Sequence, residues 1–206
     1  HQKGIKCIPV VPNVKLAQRV QAHGADALVV EGMEAGGHDG KLTLMALLEN
    51  VLPDIEIPVI AAGGITDGRG IAASLLMGAS GVQMGTRFLL SEECSLHPKA
   101  KDAIMAAADT DSVVTGFTTG DSVRGLKNRF SDRYLKAEYS GASPDELSSI
   151  SAGTTKRGAL FGDTENGFIL AGMSLTHLTK IQSAKEIVEE LVSETERRLA
   201  AAPGLI

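Results

Sequence analysis

Apolar residues fall in short runs separated by longer mixed segments. Four runs, Ile5 to Val11, Ala27 to Glu31, Pro58 to Ala62 and Gly81 to Gly85, are rich in strand formers and do not alternate. Such runs predict parallel strands covered on both faces. Between them, apolar residues recur at helical spacing. Val14, Ala17 and Val20 mark a helix over Val14 to His23; Leu44, Leu47, Leu48 and Val51 mark one over Leu42 to Leu52; Ile71, Leu75 and Leu76 mark one over Asp67 to Met77. Strand alternating with helix predicts βαβ units and a parallel sheet, an α/β class. The strands are expected side by side in chain order, with their carboxyl ends on one rim.

Beyond Leu90 the pattern changes. Pro98 to Ala108 reads as a helix. Thr110 to Gly120, rich in Thr, Asp, Ser and Gly, reads as a loop. Val123 to Tyr139 reads as a helix whose basic face carries Arg124, Lys127, Arg129 and Arg133. Ser140 to Gly158 reads as a lid or linker. The last helix is announced by a capping box, Ser183 with Glu186, and by an apolar face of Ile187, Val188, Leu191 and Val192. The tail from Pro203 to Ile206 is expected to fray. At the other end, His1 to Gly4 looks like the end of a helix stopped by Gly4, as in a piece of a longer chain.

Composition narrows the classes. The 206 residues carry 43% hydrophobic and 22% charged residues, as a globular chain does. A net charge of −5 argues against a phosphate-backbone binder, and 3% aromatics argue against a base-stacking surface, so no nucleic acid is expected. No apolar run approaches a membrane helix and no signal peptide opens the chain. Two cysteines, Cys7 and Cys94, make neither a disulfide framework nor a CxxC pair, which suits a reducing, cytoplasmic location. No metal is expected, because no His, Cys, Asp or Glu set has zinc spacing.

The strand-to-helix junctions are where chemistry gathers. The second run ends in Glu31-Gly32-Met33-Glu34-Ala35-Gly36-Gly37-His38-Asp39-Gly40, the third in Ala61-Ala62-Gly63-Gly64-Ile65, and the fourth in Gln83-Met84-Gly85-Thr86-Arg87-Phe88. In parallel α/β folds the carboxyl ends of strands hold the active site. Consecutive glycines there expose main-chain N–H groups to a phosphate; they also serve any tight βα turn. His38 sits inside the first of these loops, and an imidazole suits proton transfer near neutral pH. An ordinary surface histidine is the competing reading. His97, before Pro98, marks a helix start.

These strings, EGMEAGGHDG, IPVIAAGGITDGRG and GVQMGTRF, resemble the family of nitronate monooxygenases and flavin-dependent enoyl-ACP reductases (type II), from Gly4 to about Ala100. The form E-G-M-E-A-G-G-H, the His97-Pro98 pair and the VRGLKNRF stretch look more like the reductase branch. Family members often carry A-G-Q where this chain has Ala171-Gly172-Met173.

The resemblance implies a (β/α)8 TIM barrel with FMN at the carboxyl ends of its strands. This chain would hold strands five to eight: residues 1–110 the second half of the barrel, 111–180 a lid or substrate-side segment, 181–206 a C-terminal helix. It implies reduction of 2-enoyl thioesters on acyl carrier protein in bacterial fatty-acid synthesis, with NADH or NADPH as reductant. His38 is then the catalytic histidine. Gly32, Gly37, Gly63, Gly64, Gln83, Met84, Gly85 and Thr86 match flavin-binding positions. The expected partners are the carrier-protein thioester, a second copy in a homodimer and the missing N-terminal half of the barrel. The alternatives are a nitronate monooxygenase of the 2-nitropropane dioxygenase type and an inactive half-barrel fragment.

Overall fold

The computed structural model describes His1 and residues 3–205. Gln2, within the expected helix end at the N-terminus, and Ile206 lie outside the described residues. The chain divides into two units: residues 1–34, 40–84 and 185–206 form the first, and residues 35–39 and 85–184 the second.

The first unit is a parallel sheet with its helices. Its elements are β1 (Val10–Val11), α1 (Val14–Ala22), β2 (Leu28–Glu31), then, past a β3 (Gly37–His38) that belongs to the second unit, α2 (Leu44–Val51), β4 (Val59–Ala62), α3 (Gly68–Leu76) and β5 (Gly81–Gln83). The strands lie in the order β1-β2-β4-β5, and each adjacent pair is parallel. This is the expected arrangement. Leu28, Val30, Val59 and Ala61, alternate residues on one face of the sheet, pack with Leu47, Leu48 and Val51 in one core, and Val29 and Ala62 on the other face are buried too, so the runs are apolar without alternation.

The first strand is much shorter than its apolar run. Only Val10 and Val11 pair as a strand; Ile5 and Ile8 are exposed. Pro9 has no N–H to give a ladder, and the Cys7 N–H is taken by the Asp26 carboxylate at 2.8 Å instead of by a strand. The chain still runs beside β2, through Val29 N–H to Pro9 O at 2.9 Å.

Asp67 starts α3. Its carboxylate accepts from the N–H groups of Arg69 and Gly70 at 2.9 and 3.1 Å, and from the Arg69 side chain. Burial pushes this carboxyl up, but the hydrogen bonds and the Arg69 charge outweigh burial and hold it below the usual value. A lowered folded value stabilises above the unfolded value, and that contribution fades as pH falls through the folded one. Asp67→Ala should therefore cost about 1 kcal/mol at neutral pH. Denaturant titrations of the two proteins should converge in acid. A gap unchanged between neutral and acidic pH would contradict the assignment.

The second unit holds α4 (Thr86–Leu89), α5 (Pro98–Ala106), β6 (Ser112–Thr115), β7 (Val123–Leu126), α6 (Arg129–Tyr139), α7 (Pro144–Ser151) and α8 (Thr154–Phe161). β6 and β3 flank β7 in an antiparallel sheet of order β3-β7-β6. The last helix, α9 (Ala184–Ala201), returns to the first unit. Residues Ala202–Leu205 continue it as a 3-10 turn where a frayed tail was expected.

Beyond Leu90, three expectations fail. The Thr110 to Gly120 loop contains β6. The Val123 to Tyr139 helix is a strand followed by a helix, split at Lys127 and Asn128. Gly125 sits where an added Cβ would come within 2.5 Å of Phe168, a close approach that suits a strand under an aromatic ring. Asn128 then restarts the chain as a helix through a reciprocal capping box with Ser131. Finally, Ser140 to Gly158 is not a linker but α7 and the start of α8, with Ser143 and Glu146 forming another capping box and Leu147 buried in the core. No helix among the described residues is long and apolar enough to cross a membrane.

Candidate functional site

In the first unit, Gln83 ends β5, and Gly32, Gly63, Gly64 and Met84 follow the carboxyl ends of β2, β4 and β5, adjacent parallel strands, so all five share one rim. The Gly32 N–H donates to Ala62 O at 3.0 Å and ties the end of β2 to the end of β4. Two residues on, the Glu34 carboxylate accepts the Leu44 N–H at 2.9 Å and anchors the start of α2. Past β4 the chain turns through Gly63 and Gly64, with φ of 99° and 72°. Side-chain-bearing residues rarely adopt those angles, so main chain without side chains lies directly beyond the strand. Gln83 is exposed, and Met84 packs against the core.

The second unit carries Gly37, His38, Gly85 and Thr86. Contrary to the expected loop, His38 lies on a strand. β3 pairs with β7, Gly37 opposite Arg124 and His38 opposite Val123. That antiparallel pairing fixes its backbone at the edge of the sheet, while its ring stays 76% exposed. The ring Nε2 lies 3.2 Å from Asp121 Oδ1. The next side chain, Asp39, is buried, with Oδ2 3.5 Å from Arg124 Nη2. Burial pushes the Asp39 carboxyl up, against the opposing pull of Arg124. Arg124 also donates to Ser112 Oγ at 3.2 Å. It is thus a buried strand residue, and the expected basic stripe is broken: only Arg129 and Arg133 of that set lie on α6.

A segment that chemistry-based reading treated only as a family signature organises this unit. Thr86 Oγ1 accepts the Gly172 N–H at 2.9 Å. An added Cβ on Gly36 would meet the Ala171 carbonyl carbon at 2.6 Å and Gly172 N at 2.7 Å. Ala171-Gly172 is therefore the piece against which both the entry to β3 and Thr86 are set. Small residues at 36, 171 and 172 were the legible signal. His97 acts as a helix cap, its Nδ1 accepting the Lys99 N–H at 3.2 Å.

The nitronate monooxygenase family model matches residues 1–194. The chain belongs to that family. The family is one of flavin-dependent oxidoreductases. A probable nitronate monooxygenase of Staphylococcus aureus (strain MSSA476) is 35% identical over 94% of this chain and 57% of its own length. FabK from Thermotoga maritima superposes with a TM-score of 0.95 at 40% identity, over 100% of this chain and 65% of that one. Nitroalkane oxidase from Streptomyces ansochromogenes gives a TM-score of 0.84 at 30% identity, over 98% of this chain and 60% of that one. The α/β architecture is thus that of the (β/α)8 barrel class, and the chain spans under two thirds of the length of these relatives.

Proposed function

We propose that the protein containing this chain is an FMN-dependent enoyl reductase acting on 2-enoyl thioesters of acyl carrier protein, with NADH or NADPH as reductant. The observation that carries this reading is His38: an exposed imidazole on a paired strand, beside a carboxylate, in the chain's EGMEAGGH string. The greater likeness to FabK than to the nitroalkane oxidase supports the reductase branch.

The residues present suit a flavin. The left-handed Gly63-Gly64 turn leaves main chain accessible beyond β4, and space around Gly85 is open for at least 4 Å where a Cβ would stand. By family match, Gly63, Gly64, Gln83 and Met84 of the first unit stand at phosphate-holding positions and Gly32 at a flavin-contact position; in the second unit Gly85 and Thr86 stand at phosphate-holding positions and Gly37 at a flavin-contact position. When bound, FMN supplies the hydride that reaches the β-carbon of the thioester. His38 supplies the proton that completes reduction at the α-carbon.

The second reading is a nitronate monooxygenase, favoured by the names of the curated relatives. Full-length protein decides between them. A flavin spectrum with NAD(P)H oxidation dependent on a crotonyl thioester supports the first. Oxygen uptake with propyl nitronate, and no thioester-dependent turnover, overturns it.

A further inference from the structure

We propose that Asp121 is a positioning residue for His38, orienting its ring so that Nδ1 faces the substrate. The inference rests on the reading of His38 as proton donor. Asp121 follows the turn between β6 and β7, and its Oδ1 lies 3.2 Å from His38 Nε2. An exposed ion pair alone would mean little, because such pairs are held loosely. Here the turn that leads into Asp121 is built to stay in place.

Glu138 of α6 is buried, and its carboxylate accepts the N–H groups of Gly116 and Thr118 at 3.2 and 2.8 Å and the Thr118 hydroxyl at 2.9 Å. The turn closes on itself through Asp121 N–H to Gly116 O at 3.2 Å and Thr119 Oγ1 to the same oxygen at 2.9 Å. Below it, Thr115, Val123 and His38 stand in register across all three strands. One helix therefore fixes the turn, and the sheet fixes the histidine's backbone. The ring has only its own torsions left, and Asp121 is the group that can set them.

The neighbouring charges leave that role to Asp121. Asp39 is adjacent in sequence, but its carboxylate is buried against Arg124, and Arg124 is engaged in turn with Asp39 and Ser112. Both ring nitrogens of an imidazolium are donors. With Nε2–H given to Asp121, the Nδ1 proton is the one that passes to the α-carbon. The product is a neutral imidazole that keeps Nε2–H on Asp121 and regains its other proton from solvent.

The test compares Asp121→Ala, Asp121→Asn and His38→Ala in the full-length flavoprotein. A misplaced donor costs about tenfold to a hundredfold. Asp121→Ala should slow thioester reduction by that factor and leave flavin reduction by NAD(P)H unchanged. Asp121→Asn, which keeps an acceptor oxygen in place, should recover most of the rate. A second readout needs no turnover: carbon-13 relaxation of the labelled His38 ring should show it ordered in the parent and in Asp121→Asn, and mobile in Asp121→Ala. An Asp121→Ala protein with parental thioester reduction or a parental ring overturns the proposal, as does an Asp121→Asn protein as slow as the alanine one. If His38→Ala itself reduces the thioester at the parental rate, the proton-donor reading has failed and the proposal falls with it.

Discussion

Replacing His38 by alanine in the full-length enzyme should lower reduction of an enoyl thioester by about 10²- to 10⁴-fold, the range expected for loss of a general acid. Flavin should remain bound, because the glycine turn proposed to hold its phosphate offers main chain and is untouched. Reduction of flavin by NAD(P)H should persist, since that half-reaction needs no proton at the thioester α-carbon. Two stopped-flow experiments on the variant, one for each half-reaction, separate these effects. The backbone pairing of β3 matters to the interpretation. His38 pairs with Val123 through main chain, so alanine at that position leaves the strand's hydrogen bonds available. The ring is exposed, so no core packing is lost. Equal slowing of both half-reactions would point to damage at the flavin rather than loss of an acid. Parental thioester reduction with bound flavin would make His38 a bystander.

The parallel sheet was legible because its signal is local. Leu28, Val29 and Val30 of β2 and Val59, Ala61 and Ala62 of β4 are buried, and each strand is spelled out by a single short apolar run. The rim residues were legible for the same reason: Gly63 and Gly64 adopt left-handed φ that sequence can foresee. The antiparallel sheet was hidden because its partners are distant in sequence. Gly37 and His38 are paired by residues 123 and 124, and nothing in GGHDG announces that pairing. The helix expected over Val123 to Tyr139 shows the opposite failure. A run of basic residues was read with one period through a boundary that Asn128 and Ser131 mark plainly. Arg124, counted there as a surface charge, is buried against Asp39, which no spacing rule predicts. Ser143-Pro144-Asp145-Glu146 likewise carries a helix-start signature that the polar composition of its surroundings obscured.

The same boundary sets the largest stability effect expected in the second unit. Phe130, in the first turn of α6, is 1% exposed. Its ring lies 5.1 Å from that of Phe168 and 5.9 Å from that of Tyr134, both tilted, and the group is closed by Leu147. Its N–H donates to Glu165 O at 2.9 Å, and Asn128 beside it donates to Thr164 O and Gly167 O at 2.8 and 2.7 Å. The ring therefore seals the core just where the main chain is bound to the segment leading into Phe168. Those hydrogen bonds hold the surroundings in place, so they cannot collapse into the space a smaller side chain would leave. Phe130→Ala should cost about 3–5 kcal/mol, the range for a buried phenylalanine whose cavity stays open. Phe161, 67% exposed, provides the contrast: its change to alanine should fall within about 0.5 kcal/mol of the parent. Chemical denaturation of both variants measures the difference. If Phe130→Ala costs no more than Phe161→Ala, the Phe130, Phe168 and Tyr134 cluster is not what holds α6 against the rest of the second unit.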